Sequence, residues 1–187
     1  NTAARDLEHR DSERKDVYCE VVYGTFPDPL KETMITCLSK LPKNCFFTET
    51  GEPRSSELKN IDLFVGDYVQ NCLSPIKREI KPITDRELSV DLFVPKYHTL
   101  FAIEIGRYPR LELDVIKIVS ASFESPNVYQ YGGLIVPYDH IKLTLEGRQN
   151  PYQYCVNRLL PLMQPILSAS PIKGFAVFGY HDQRAAV

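Results

Sequence analysis

The stretch "SVDLFVPKYHTLFAIEIG", residues 89–106, decides how the chain is read. Two short runs rich in β-branched and aromatic residues flank a break that contains Pro95, which predicts a β-hairpin. The strands are expected at 90–94 and 100–105, with a four-residue loop at Lys96 to Thr99. Asp91 and Glu104 are the two acids in this otherwise apolar pair, one near each end.

If residue 95 faces residue 100, then 94 faces 101, 93 faces 102, 92 faces 103, and Asp91 faces Glu104. Directly opposed residues carry Cβ atoms about 4.5–5.5 Å apart, within reach of one shared cation, whereas two bare carboxylates there would repel. Oxygen ligands of this kind, with a backbone carbonyl and waters, suit Mg²⁺ or Mn²⁺. The other reading is that both acids mark strand ends at the protein surface, and spacing alone leaves both open.

Outward from the hairpin, the chain alternates helical and extended patterns. "VYCEVVYG" (17–24) reads as a short strand. "DPLKETMITCLSKL" (28–41) reads as a helix capped by Asp28, with Pro29 in its first turn and Leu30, Met34, Leu38 and Leu41 on one face. A second helix is expected over 55–74, on a stripe of Leu58, Ile61, Val65, Tyr68 and Cys72, ended by Pro75. Residues 77–87 are polar and interrupted by Pro82, so they read as a connection with room for a short edge strand.

Downstream, 111–123 places Leu111, Val115, Ile118 and Val119 on one helical face, with Glu112, Asp114 and Lys117 largely off it. "YGGLIVP" (131–137) and "GFAVFGY" (174–180) are apolar runs of the length expected for strands buried on both faces. Between them, 150–170 starts with an Asn cap and a Pro, and Pro161 and Pro165 should kink or divide it. This order predicts an α/β fold, a three-layer sandwich with a mixed central sheet flanked by helices.

The 187 residues suit one domain at 17–187, preceded by an arm at 1–16 that is dense in charges of both signs and has Leu7 as its one large apolar residue. No apolar run reaches the ~20 residues of a membrane span, so no membrane partner is expected. The five cysteines form no C-x-x-C pair and no His lies at zinc-finger spacing from them, which reads as reduced thiols in a cytoplasmic protein. A formal charge of −2 gives no bulk attraction to phosphate, so any nucleic-acid contact must be local. Lys77, Arg78 and Lys81 form one such local basic cluster, which a solvated loop would also explain.

An Asp at the start of one strand and "EIG" at the end of the next, followed by a helix and an apolar strand, resembles the PD-(D/E)XK nucleases, the fold of restriction endonucleases. "SVDLFV", "FAIEIGRYP", "GGLIVPYDH", the helix near "NPYQY" and "IKGFAVFGY" occur in an order similar to that of the BglII-type enzymes, over about residues 77–180.

The resemblance implies a restriction-endonuclease-like fold and a homodimer acting on double-stranded DNA, with Mg²⁺ (or Mn²⁺) as cofactor. It implies that Asp91 and Glu104 bind the metal together with the carbonyl of Ile105. It also implies that the third motif residue, usually Lys, Gln or Glu, falls on Gly106. Arg107 or Lys117 could supply the missing cation, or the metal and the substrate phosphate could suffice without one. Otherwise the chain is a catalytically inactive DNA-binding or protein-interaction module on the same fold. Arg107, Tyr108, Arg110, Lys77 and Arg78 are the candidate DNA contacts, while His98 and His140 read as loop and turn residues.

Overall fold

The computed structural model describes residues 17–54, 60–73, 75, 77–82, 89–104, 108–138 and 150–183. The arm at 1–16 lies outside them. Strand β1 (Val17–Gly24) is followed by helix α1 (Asp28–Leu38) and helix α2 (Asn60–Cys72). Three strands then follow in succession: β2 (Lys77–Ile80), β3 (Val90–Val94) and β4 (Thr99–Ile103). Helix α3 (Tyr108–Glu124) crosses to β5 (Tyr131–Pro137). The short helix α4 (Pro151–Tyr154) passes through a π-helical turn (Cys155–Leu159) into α5 (Leu160–Ala169), and β6 (Gly174–Tyr180) closes the sheet.

The six strands lie in the order β1-β6-β5-β4-β3-β2. β2, β3 and β4 form an antiparallel meander, β4, β5 and β6 run parallel, and β1 is antiparallel to β6. The mixed sheet expected from the sequence is therefore present.

Alternation along the strands divides the core into two layers. On one face Leu92, Val94, Phe101, Ile103, Ile135 and Phe178 pack with Leu30 and Met34 of α1 and Ile61, Val65 and Val69 of α2. On the other, Phe93, Leu100, Ala102, Leu134, Val136 and Val177 meet Leu111, Val115 and Ile118 of α3 and Leu159, Leu160 and Leu167 of the α4–α5 segment. Apart from Tyr131 at the start of β5, the central strands β4, β5 and β6 are buried along their length, which is why their sequences read as continuous apolar runs. Helices on both faces give the three layers. Among the described residues no helix is long and apolar enough to cross a membrane.

The hairpin register differs from expectation by two residues. Leu92 pairs with Phe101, Phe93 with Leu100 and Val94 with Thr99. Pro95 to Tyr97 form a 3₁₀ turn, and His98 follows with φ 52°, a left-handed backbone that sends the chain back at once. Thr99 Oγ1 donates to the carbonyl of Tyr97 at 2.8 Å and helps to lock the loop. The loop is thus 95–98 rather than 96–99, and by extension of the ladder Asp91 lies beside Ala102 instead of Glu104.

Other boundaries shift for local reasons. Asp28 does not cap α1; the residue before it is Pro27, and the Asp28 carboxylate pairs instead with Lys31 at 2.6 Å. Asn150 does cap α4, accepting from the backbone N–H of Gln153 at 2.8 Å. Pro161 does not divide the following helix, because the π-helical turn ahead of it lets Pro161 enter at the start of α5, and Pro165 lies inside α5. The helix expected over 55–74 is described from Asn60 onward.

Gly174 shows how closely the first and last strands approach. It pairs with Gly24, and a Cβ at Gly174 would collide with the backbone carbonyl of Thr25. Overpacking against a rigid neighbour costs roughly 1–3 kcal/mol, and backbone gives way least. Gly174→Ala should lower unfolding stability by about 3 kcal/mol in urea titration. Gly51→Ala, where φ is +84° but no atom lies within 4 Å, should cost only about 1 kcal/mol.

Candidate active site

The outer end of β4 and the first residues of β3 meet beneath the start of α3. The paired ladder of β3 and β4 ends at Leu92 and Phe101. Beyond it, the Asp91 carboxylate continues the connection, with Oδ2 accepting from the backbone N–H of Ile103 at 2.8 Å. On the other side of β4, the N–H of Glu104 donates to the carbonyl of Ile135 at 3.1 Å. Asp91 is therefore anchored to the residue before Glu104, and Glu104 is anchored to β5. Register does not oppose the two acids; the Asp91 side chain instead bonds the backbone of the residue that precedes Glu104.

Glu104 is buried at 5% exposure, and Asp91 is half-buried. Helix α3 brings further charges to this edge. Arg110, on its first turn, places a guanidinium nitrogen 4.0 Å from Glu104 Oε2, with its own side chain 46% exposed. One turn on, Asp114 is buried and accepts from Lys117 Nζ at 2.9 Å through Oδ1. Burial pushes the Asp114 carboxyl above its ordinary range; Lys117 and Arg110 oppose that rise, while the negative charge of Glu104 adds to it. Asp114 thus feels both flanking charges, and Glu104, Arg110, Asp114 and Lys117 act electrostatically as one cluster.

Asp114 is the member that the sequence reading passed over as polar and off the apolar face. The signal was present, because Leu111, Asp114, Val115 and Ile118 follow helical spacing and are all buried. An acid within a buried stripe needs a partner, and Lys117 at i+3 provides it.

The remaining expected site residues fall as follows. Ile105, Gly106 and Arg107 lie outside the described residues, as does His140. Tyr108 opens α3. Lys77 is exposed on the edge strand β2, opposite Phe93, and Arg78 occupies the register position opposite Leu92. His98 sits in the hairpin loop at the far end of the strands, with Nδ1 3.2 Å from the carbonyl of Val128. It is remote from the acids, as expected.

Among the described residues no group of three or more His, Cys, Asp or Glu side chains is arranged to hold a metal ion. The donor set that remains, Asp91 and Glu104, is of the hard oxygen type. Mg²⁺ is commonly held by one or two carboxylates with waters and substrate phosphate completing its shell. The chemistry of two carboxylates is of the kind such a site uses.

No protein-family model matches the chain, and no curated protein matches it.

The Asp114–Lys117 pair yields a prediction. A carboxyl whose folded-state pKa is raised binds its proton more tightly folded than unfolded. Its contribution to stability is greatest in acid, and declines as pH rises from the unfolded to the folded value. Lys117→Met removes a charge that opposes the rise, so the Asp114 resonance in a carbon-detected NMR titration should move to higher pH still. The variant should lose about 2 kcal/mol near neutral pH, since a buried group is left without its partner, and much less at acid pH. An unchanged Asp114 titration would show that the pair is not coupled in solution.

Proposed function

We propose that the chain is a divalent-metal-dependent endodeoxyribonuclease on a restriction-endonuclease-like fold, hydrolysing phosphodiester bonds of double-stranded DNA. The observation that carries this reading is the bond to the Asp91 carboxylate from the N–H of Ile103, the residue that precedes the buried Glu104 at the end of β4. The antiparallel hairpin, the crossover helix α3 and the parallel apolar strand β5 support it, because they follow in the order that the resemblance implies.

Asp91 and Glu104 would hold Mg²⁺ (or Mn²⁺), with the carbonyl of Ile105 as a third ligand. The bound ion would supply positive charge to the phosphate under attack and lower the pKa of its water. Lys117, oriented by Asp114, takes the role that Gly106 cannot fill, a cation that stabilises negative charge developing during attack. Its ammonium is held on a helix, so its position costs little to organise. Arg110 would meet the phosphate backbone, together with Arg107, Tyr108, Lys77 and Arg78. Cutting both strands of a palindrome would make the working form a symmetric homodimer, in the cytoplasm.

Gly106 favours a second reading, a catalytically inactive DNA-binding or interaction module on the same fold. A glycine at the third motif position offers no side chain to polarise water.

Supercoiled plasmid incubated with the protein and Mg²⁺ or Mn²⁺ distinguishes the two. Cleavage is expected, reduced at least ~100-fold in Asp91→Ala and in Glu104→Ala, and about 100-fold in Lys117→Met. Cleavage that persists in both carboxylate variants would sink the proposed site. Salt-sensitive DNA binding with no cleavage by the unaltered protein would establish the second reading instead.

A further inference from the structure

A second chemically distinctive place lies away from the carboxylates, where α1 packs against α2. A pocket of about 460 Å³ opens there, lined among others by Cys37, Lys40, Tyr68 and Cys72. Cys37 is buried on α1, whereas Cys72, the last residue of α2, is exposed. Cys37 and Cys72 line the same pocket as neighbours, with Tyr68 beside them. Of the five cysteines, Cys72 is the exposed one, and it shares this pocket with the buried Cys37 across a helix–helix contact.

We propose that Cys37 and Cys72 are a redox modification site, a dithiol that a low-molecular-weight disulfide such as oxidised glutathione converts to an intramolecular disulfide between α1 and α2. The chemistry has a fixed order because the two sulfurs differ in access. Exposed Cys72 loses its proton and attacks one sulfur of the reagent, forming a mixed disulfide and releasing one glutathione thiolate. Cys37, on the same pocket as Cys72, then loses its proton and attacks that sulfur, expelling the second glutathione. The protein loses two electrons and two protons, and oxidised glutathione becomes two reduced molecules.

Burial raises the pKa of the Cys37 thiol, which disfavours it as the first attacker and suits it to the second, intramolecular step. The open pocket admits the reagent to Cys72, and Lys40 offers a cation to its carboxylates. A disulfide needs its sulfurs about 2 Å apart, so the free thiols must close in on each other. Cys72 stands at the end of its helix, where such an adjustment is least costly.

The test is oxidation of the native protein with oxidised glutathione, quenched in acid and followed by intact mass, thiol counting and peptide mapping. The expected result is a fall from five free thiols to three, loss of two hydrogens in mass, no retained glutathione, and a Cys37–Cys72 cross-linked peptide cleaved by dithiothreitol. Cys72→Ser should keep its four thiols under the same conditions. Cys37→Ser, where it folds, should stop at a stable glutathione adduct on Cys72. A persistent adduct on Cys72 in the unaltered protein, a link from Cys37 to Cys45, or five unmodified thiols would each overturn the proposal. The map of the unaltered protein decides the matter even if the Cys37 variant does not fold.

Discussion

The turn at Pro95 to His98 sets the position of everything around it. A 3₁₀ turn closed by one left-handed residue fixes the register of β3 on β4. Because side chains alternate along a strand, a slip of one residue would exchange the two faces of the sheet. With the register as it stands, Leu92, Phe101 and Ile103 face α1 and α2, while Phe93, Leu100 and Ala102 face α3. Glu104, next in the alternation after Ala102, then falls on the α3 side. His98 is not idle in this, since its carbonyl accepts from the N–H groups of Gln130 and Tyr131 at 2.9 and 3.1 Å and ties the turn to the start of β5.

From that register the charge arrangement follows. α3 must lay Leu111, Val115 and Ile118 on the sheet, and a helix that does so carries Arg110, Asp114 and Lys117 along the flank nearest Glu104. The negative charges do not balance locally without help. Glu104 raises the cost of ionising Asp114, and the nearer relief for Asp114 comes from Lys117 at 2.9 Å, with Arg110 contributing less. The Arg110–Glu104 contact is long, and half of Arg110 is in water, so it stabilises the fold little.

The layers were legible in the sequence because burial on both faces writes itself as unbroken apolar runs, as in 131–137 and 174–180. Helix faces were legible for the same reason, from Leu30 and Met34 to Ile61 and Val65. Register was not, because it depends on the backbone of one loop residue, and nothing in "PKYHT" announces that His98 turns left-handed. The expected opposition of Asp91 and Glu104 was therefore wrong by two residues, and the Asp91 side chain reaches the N–H of Ile103 instead. Asp114 was visible as an acid and invisible as a buried one, since periodicity sorts residues into faces and does not report how deep the flank of a face lies.

The burial of Asp114 bears on which demand shaped the cluster. A buried ion pair seldom stabilises a fold more than apolar residues of similar volume would, because desolvation offsets most of the Coulombic attraction. An aliphatic residue at 114 would extend the stripe of Leu111, Val115 and Ile118 without that cost, and Lys117 could then turn to solvent as an ordinary helix-surface lysine. The pair is instead kept, with the Lys117 side chain only 17% exposed, beside a second buried carboxylate that makes Asp114 harder to ionise. Packing does not require this arrangement, and stability argues against it. What it provides is an ammonium held in place on a helix, 2.9 Å from the buried Asp114 carboxylate and on the element whose Arg110 meets Glu104.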